Sequence, residues 1–253
     1  MSNARRGGKL ILSSSILKHQ WFSSKQFAGP PVNVATTSFG FKDVEKEDKE
    51  GMVREVFMKV APSYDLMNDI MSAGIHRIWK RRMIEQLNPI AGMRLLDLAG
   101  GTGDIALRFI NSGGENVTVV DINEAMLKLG RNKISTNENS NKIHWLQGNA
   151  EGLPFKNAYF DAYTTAFCIR NVTNIEQVLF EACRVLKPGG RFMCLEFSHV
   201  VLPVLEKFYD TYSFKVLPAL GEIVAGDRDA YQYLAESIRQ FPDQCTFSEM
   251  ISA

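Results

Sequence analysis

The stretch "LLDLAGGTGD", Leu95 to Asp104, decides the fold. An apolar run ending in Gly100, Gly101 and Gly103 reads as a strand that enters a tight turn and opens a helix. A phosphate-binding loop would need G-x-x-x-x-G-K followed by Ser or Thr, and no lysine stands at that distance. The dinucleotide fingerprint G-x-G-x-x-G fits badly, since placing its second glycine on Gly101 puts Ala99 first and Asp104 third. A carboxylate at the helix start also opposes a pyrophosphate there. S-adenosylmethionine carries no phosphate, and its methionine end is cationic, so Asp97 and Asp104 beside the turn become favourable. A turn needed only for close helix packing also takes small residues, but leaves both carboxylates without a role.

Outward from that turn, short apolar runs alternate with helical patterns. We read "MRLLDLA" as a strand, "DIALRFI" as a helix, "VTVVDI" as a strand and "EAMLKLGRNKI" as a helix. The strands "KIHWLQ" and "FDAYTTAFC" follow, then the helix "IEQVLFEACRVL" ending at "KPGG" and the strand "RFMCLEF". Such alternation predicts an α/β fold, a doubly wound and mostly parallel sheet covered by helices on both faces, with ligand beyond the strands' carboxyl ends. Asp121, 18 residues past Gly103 at the end of the second strand, is placed to accept from both ribose hydroxyls. Asn149 and Ala150, after the third strand, fall where an adenine edge would lie. Upstream, "KDVEKEDKE" reads as a solvated charge run, a linker running into a helix, and two or three helices form a cap over 43–92. The cofactor-binding core is expected over 93–198, a helical substrate-side insertion over 199–245, and the start of a further element over 246–253.

The composition narrows the setting. A chain of 253 residues with 45% hydrophobic content has room for one substantial core, and a formal net charge of +1 gives no field directed at nucleic acid. The four cysteines show no C-x-x-C pair and no metal-ligand spacing, which points to a reducing compartment and to no metal. No apolar run is long enough to span a bilayer. Met1 to Lys42 holds six Lys or Arg residues, many serines and no acidic residue, the composition of a mitochondrial transit peptide; a basic tail is the plainer alternative. Residues up to about Gln26 are expected to contribute nothing to the fold.

Two further stretches, "YDLMNDIMSAGIHRIW" at Tyr64 to Trp79 and "RVLKPGGRFMCLEFS" at Arg184 to Ser198, resemble the motifs of the C-methyltransferase family of ubiquinone and menaquinone biosynthesis. The resemblance runs from about Val56 to the end and includes "GNAEGLPF", "IRNVTN" and "AGDRDAYQYLAESIRQFP". It implies a class I, Rossmann-like methyltransferase that uses S-adenosylmethionine to methylate a ring carbon of a prenylated hydroquinone. It also implies cofactor contacts at Thr102, Asp121, Asn149 and Ala150, within a turn built on Gly101 and Gly103. A further contact, usually serine in the family, is Ala166 here, so that hydroxyl is missing.

A ring carbon becomes nucleophilic when a quinol hydroxyl ionises. Arg170, just past the fourth strand, is expected to stabilise that phenolate as a cation, Asn171 to orient the same oxygen, and Tyr64 to complete a proton path from the cap. Core packing is the competing role for Tyr64, and His76 is expected to be structural. Glu196 either closes the fifth strand beside the pocket or caps a helix. "VVLPVLEKFYDTYSFKVLPALGEIVAG" is expected to line the ring pocket and the prenyl entrance, touching a membrane surface.

These readings predict a mitochondrial enzyme on the matrix side of the inner membrane, peripheral to it and associated with other quinone-pathway enzymes. A menaquinol methyltransferase and a non-catalytic scaffold are the alternatives. The family continues beyond "FSEMISA" into two more strands, so an open sheet edge beside the fifth strand is also expected.

Overall fold

The computed structural model describes residues 13–16, 36–200 and 209–253. Ser13–Ile16 forms β1; Thr36–Phe39 and Lys42–Glu45 form the hairpin β2–β3; Lys46–Val60, Tyr64–Ser72 and Ile75–Leu87 form α1, α2 and α3. The alternating core follows as β4 Arg94–Leu98, α4 Asp104–Asn111, β5 Asn116–Asp121, α5 Glu124–Ile134, β6 Ile143–Gln147, β7 Phe160–Ala166, α6 Ile175–Val185 and β8 Leu186–Leu195. A π-helical turn at Tyr212–Val216 leads into α7 Leu217–Ala225, followed by α8 Arg228–Gln240 and α9 Gln244–Ser252.

The sheet order is β1-β8-β7-β4-β5-β6, parallel throughout β6 to β8 and antiparallel only where β1 joins β8. The first strand of the core, β4, is therefore central, with β5 on one side and β7 on the other. That is where crossovers reverse direction and a crevice opens. Adjacent residues split between the two faces as strand geometry demands: Leu95, Val119 and Met193 pack with Phe109, Leu127 and Leu87, whereas Leu96, Val120 and Cys194 pack with Val178, Ala182, Phe241 and Phe247. Both faces are buried, which explains why these strands read as continuous apolar runs.

Three sequence readings are corrected. The charged segment after Phe41 is not a linker: Lys42–Glu45 pairs with Thr36–Phe39, register Thr36 to Glu45, and Phe39 stacks on Tyr233 at 4.1 Å. "KPGG" is not a stop before the fifth strand, because β8 already begins at Leu186 and pairs with Phe160 across a register shift. Residues 13–16 do join the fold, lying along Arg191–Cys194, so this stretch of the β8 edge is not open. Residues 36–42 of the expected transit and flexible segment also join the fold through the β2–β3 hairpin, and the rest of that segment lies outside the described residues.

Candidate active site

A cavity opens at the carboxyl ends of β4, β5 and β7. Its floor carries Leu98, Ala99, Gly101, Asp121, Asn149, Ala150 and Ala166, and α1 covers it with Val53, Arg54 and Phe57. Asp121 is the polar centre. Its Oδ2 accepts the Gly101 amide at 3.0 Å and its Oδ1 accepts the Asn123 amide at 2.8 Å, while burial pushes its carboxyl up to about 6. A buried carboxylate held only by neighbouring backbone amides still has lone-pair capacity to spare, which suits a ribose diol. Gly101 is left-handed at φ 53°, and an added Cβ would press on Met126 and approach Asp121 itself. Ala99 and Phe167 are also left-handed, at φ 50° and 60°, and both line the cavity. Such residues cost about 1–3 kcal/mol each and concentrate where a site fixes the backbone.

Asn149 and Ala150 line the same cavity, and the Asn149 amide nitrogen donates to Glu50 of α1 at 2.9 Å, which ties the cover to the loop after β6. The other turn residues do different work. Asp97 is fully buried beneath the turn, where it accepts the Thr164 hydroxyl at 2.8 Å and is pushed up to about 7 by desolvation. Asp104 is held by Lys80 at 2.9 Å and Arg108 at 2.8 Å. Neither is among the residues that line the cavity; Asp97 lies against Gly100 of the turn, and its Oδ2 is buried with no partner among the described residues. Thr102 and Gly103 do not line it either. Gly103 caps α4 at φ 76°, and an added Cβ would lie 2.6 Å from Trp145 and 2.9 Å from Ile134, so its smallness serves packing.

A second cavity adjoins the first, lined by Val56, Met67, Met71, Phe197, Tyr231 and Leu234 among others. Phe57, Tyr64, Phe167 and Asn171 line both cavities and so form the wall between them. Burial pushes the Tyr64 hydroxyl up to about 12, so it remains a proton donor at neutral pH. Asn171 is buried; its Oδ1 accepts the Tyr233 hydroxyl at 3.0 Å, whereas its Nδ2 is buried with no partner among the described residues. That amide is oriented by one neighbour and left with a donor to spend.

Arg170 reaches the second cavity but is not an isolated cation. Its Nη1 donates to Glu196 Oε1 at 2.6 Å and to the Phe167 carbonyl at 2.7 Å, and its Nε donates to Ser237 at 3.3 Å. Glu196 pairs with it, so Arg170 faces the cavity as one half of a buried ion pair. The same bond decides the role of Glu196, which closes β8 beside the site and also accepts the Phe197 amide at 2.9 Å. His76 bonds Asp69 at 2.9 Å and lines neither cavity, in keeping with a structural role. Tyr233 and Ser237 were not singled out from the sequence. They lie more than 60 positions from Arg170 and Asn171, and only their place in "AGDRDAYQYLAESIRQFP" marked them.

The comparisons with known proteins agree with this geometry. The chain is 54% identical over 245 residues to the mitochondrial 2-methoxy-6-polyprenyl-1,4-benzoquinol methylase of Dictyostelium discoideum, covering 85% of this chain and 78% of the relative. It is 54% identical over 216 residues to the ubiquinone/menaquinone biosynthesis C-methyltransferase UbiE of Paracoccus denitrificans, covering 85% and 86%. The crystal structure of the YcgJ protein of Bacillus subtilis is similar at TM-score 0.51 and 23% identity, over 68% of this chain and 64% of that one, and bears on the fold alone. A family model described as the ubiE/COQ5 methyltransferase family matches residues 42–253, and the chain belongs to that family.

Proposed function

We propose that this chain methylates a ring carbon of a polyprenylated methoxybenzoquinol, with the two adjoining cavities holding the two reactants. Membership in the ubiE/COQ5 methyltransferase family makes it an S-adenosylmethionine-dependent C-methyltransferase of quinone biosynthesis. When bound, S-adenosylmethionine supplies a methyl group on a sulfonium leaving group. Asp121 would hold its ribose, the Gly101 turn its backbone-facing side, and Asn149 with Ala150 its adenine. Thr102 and Gly103 act behind that turn, and Ala166 offers only a methyl wall.

The observation that carries the quinol reading is the unpaired Asn171 amide on the wall shared by both cavities. It would donate to a quinol oxygen as that oxygen gains negative charge, with the Tyr64 hydroxyl as a second donor. Hydrogen bonds that strengthen as charge develops lower the barrier, and holding ring and methyl on either side of one wall contributes orientation. Arg170 and Glu196 act as a neutral, rigid frame that fixes Asn171's loop and presents a guanidinium edge to the ring cavity.

Asn171→Ala should lower turnover about 100-fold while leaving S-adenosylmethionine affinity within about twofold. Parallel loss of cofactor affinity would place the residue in cofactor binding and remove the quinol reading. Offering a benzoquinol and a demethylmenaquinol side by side separates the two substrate classes. The acid-free basic N-terminal segment and the mitochondrial naming of similar proteins support a mitochondrial location. A polyprenyl substrate supports peripheral contact with the matrix face of the inner membrane and work beside other enzymes handling the same lipid.

A further inference from the structure

The motif "YDLMNDIMSAGIHRIW" contributes Tyr64 to the shared wall, but most of it has no role in the chemistry above. Its helix α2 is apolar on both sides. Tyr64, Met67 and Met71 line the ring cavity, whereas Leu66 and Ile70, four apart on another face, are exposed. A helix that buries one apolar stripe and leaves a second in water lacks a partner on its outer side. A tight turn at Ala73 and Gly74 joins α2 to α3, whose first turn exposes Ile75 and Ile78. On its other flank α2 packs on α7, where Ile223 is 80% exposed, and the Tyr212 hydroxyl bonds the Met71 carbonyl at 2.9 Å to hold the two together.

The geometry points to this α2–α3–α7 face as the surface that lies on the lipid bilayer and through which the prenyl tail enters. Two observations select a lipid surface as the occupant. Two of the exposed apolar side chains, Leu66 and Ile70, sit on the helix that walls the ring cavity, so the tail and its solvent share one boundary. Arg81 and Arg82 follow Ile78 on α3 and share the single carboxylate Glu85, which leaves a net positive edge to the apolar patch, suited to anionic headgroups and to interfacial contact. The inference rests on the reading above, in which the substrate carries a polyprenyl tail.

The test uses the full chain, vesicles of phosphatidylcholine with phosphatidylglycerol, and the variant Leu66→Gln/Ile70→Gln/Ile223→Gln. Phe180→Gln, an exposed aromatic on α6, serves as control. The parent and the control should float with vesicles, and the triple variant should bind at least about tenfold more weakly. Its KM for a long-tailed quinol embedded in vesicles should rise by a similar factor, with KM for a short-tailed soluble quinol and cofactor affinity unchanged. A parent that does not float, a variant that floats equally, or equal losses on both quinols would overturn the assignment. So would a dimeric parent whose triple variant is monomeric by sedimentation yet still floats, since the face would then belong to a second copy. If no quinol is methylated at all, the substrate reading falls while flotation still decides the surface.

Discussion

Asp121 was legible in the sequence because strand alternation fixes which residue ends β5, and a carboxylate there has few structural uses. Asp97 and Asp104 were equally visible, but sequence spacing cannot tell a residue on the turn's ligand side from one behind it. Their partners, Thr164 and Lys80, come from other elements. The two aspartates give opposite pH behaviour. Ribose donors favour the ionised form of Asp121, whose carboxyl stands at about 6, so cofactor affinity should fall up to about tenfold per unit as pH drops below that value. Calorimetry on the parent and on Asp121→Asn checks this; a flat profile in the parent would contradict the ribose role. Asp97 is raised to about 7, above its unfolded value of about 3.9, so the folded chain holds the extra proton and stability declines as pH rises between those values. Asp97→Asn should therefore lose less melting temperature than the parent between about pH 5 and pH 8. Arg170 and Glu196, buried to 4% and 1% side-chain exposure, should behave as a unit. Arg170→Met strands a buried carboxylate and should cost about 3–5 kcal/mol, most of which Arg170→Met/Glu196→Gln recovers. A double variant as unstable as the single one would show that the pairing is not what holds the loop.

At the scale of elements, the core strands and helices were readable to within a residue or two, because a sheet buried on both faces writes itself as unbroken apolar runs between helical stripes. The hairpin β2–β3 was not readable. "KDVE" is charged and short, and its pairing depends on Phe39 finding Tyr233, a contact made across most of the chain. The extension of β8 back through "KPGG" was hidden because glycine and proline usually end a strand. The cover helix α1 carries a testable consequence. Its Glu50 bonds Asn149, and Val53, Arg54 and Phe57 roof the cofactor cavity. Filling that cavity should slow amide exchange along 46–60 far more than along α6, and mass-resolved hydrogen exchange with and without S-adenosylmethionine reads this directly. Equal slowing in both helices would mean general stabilisation and no cover. Gly103→Ala should cost about 1–3 kcal/mol, since it adds a left-handed penalty to a Cβ placed 2.6 Å from Trp145.

For the whole molecule, the fold accounts for where chemistry occurs. Placing β4 at the centre, with β5 and β7 leaving it in opposite directions, opens the crevice that Asp121 and Gly101 furnish, and the cap with α8 closes a second chamber against it. The sequence conveyed the first chamber through local motifs. The second was not conveyed: the apolar segment 200–226 expected to line it supplies none of its lining among the described residues, which comes mainly from α1, α2 and α8, elements that no local pattern relates. Two chambers sharing Phe57, Tyr64, Phe167 and Asn171 are the arrangement expected of an enzyme that passes a small group between two reactants. The most direct measurement incubates the chain with S-adenosylmethionine and a short-tailed demethyl benzoquinol and analyses the product by mass and carbon NMR. The account predicts a new methyl on a ring carbon with one equivalent of S-adenosylhomocysteine, strongly reduced in Asn171→Ala; a methyl on oxygen, or no transfer by folded, cofactor-binding protein, would contradict it.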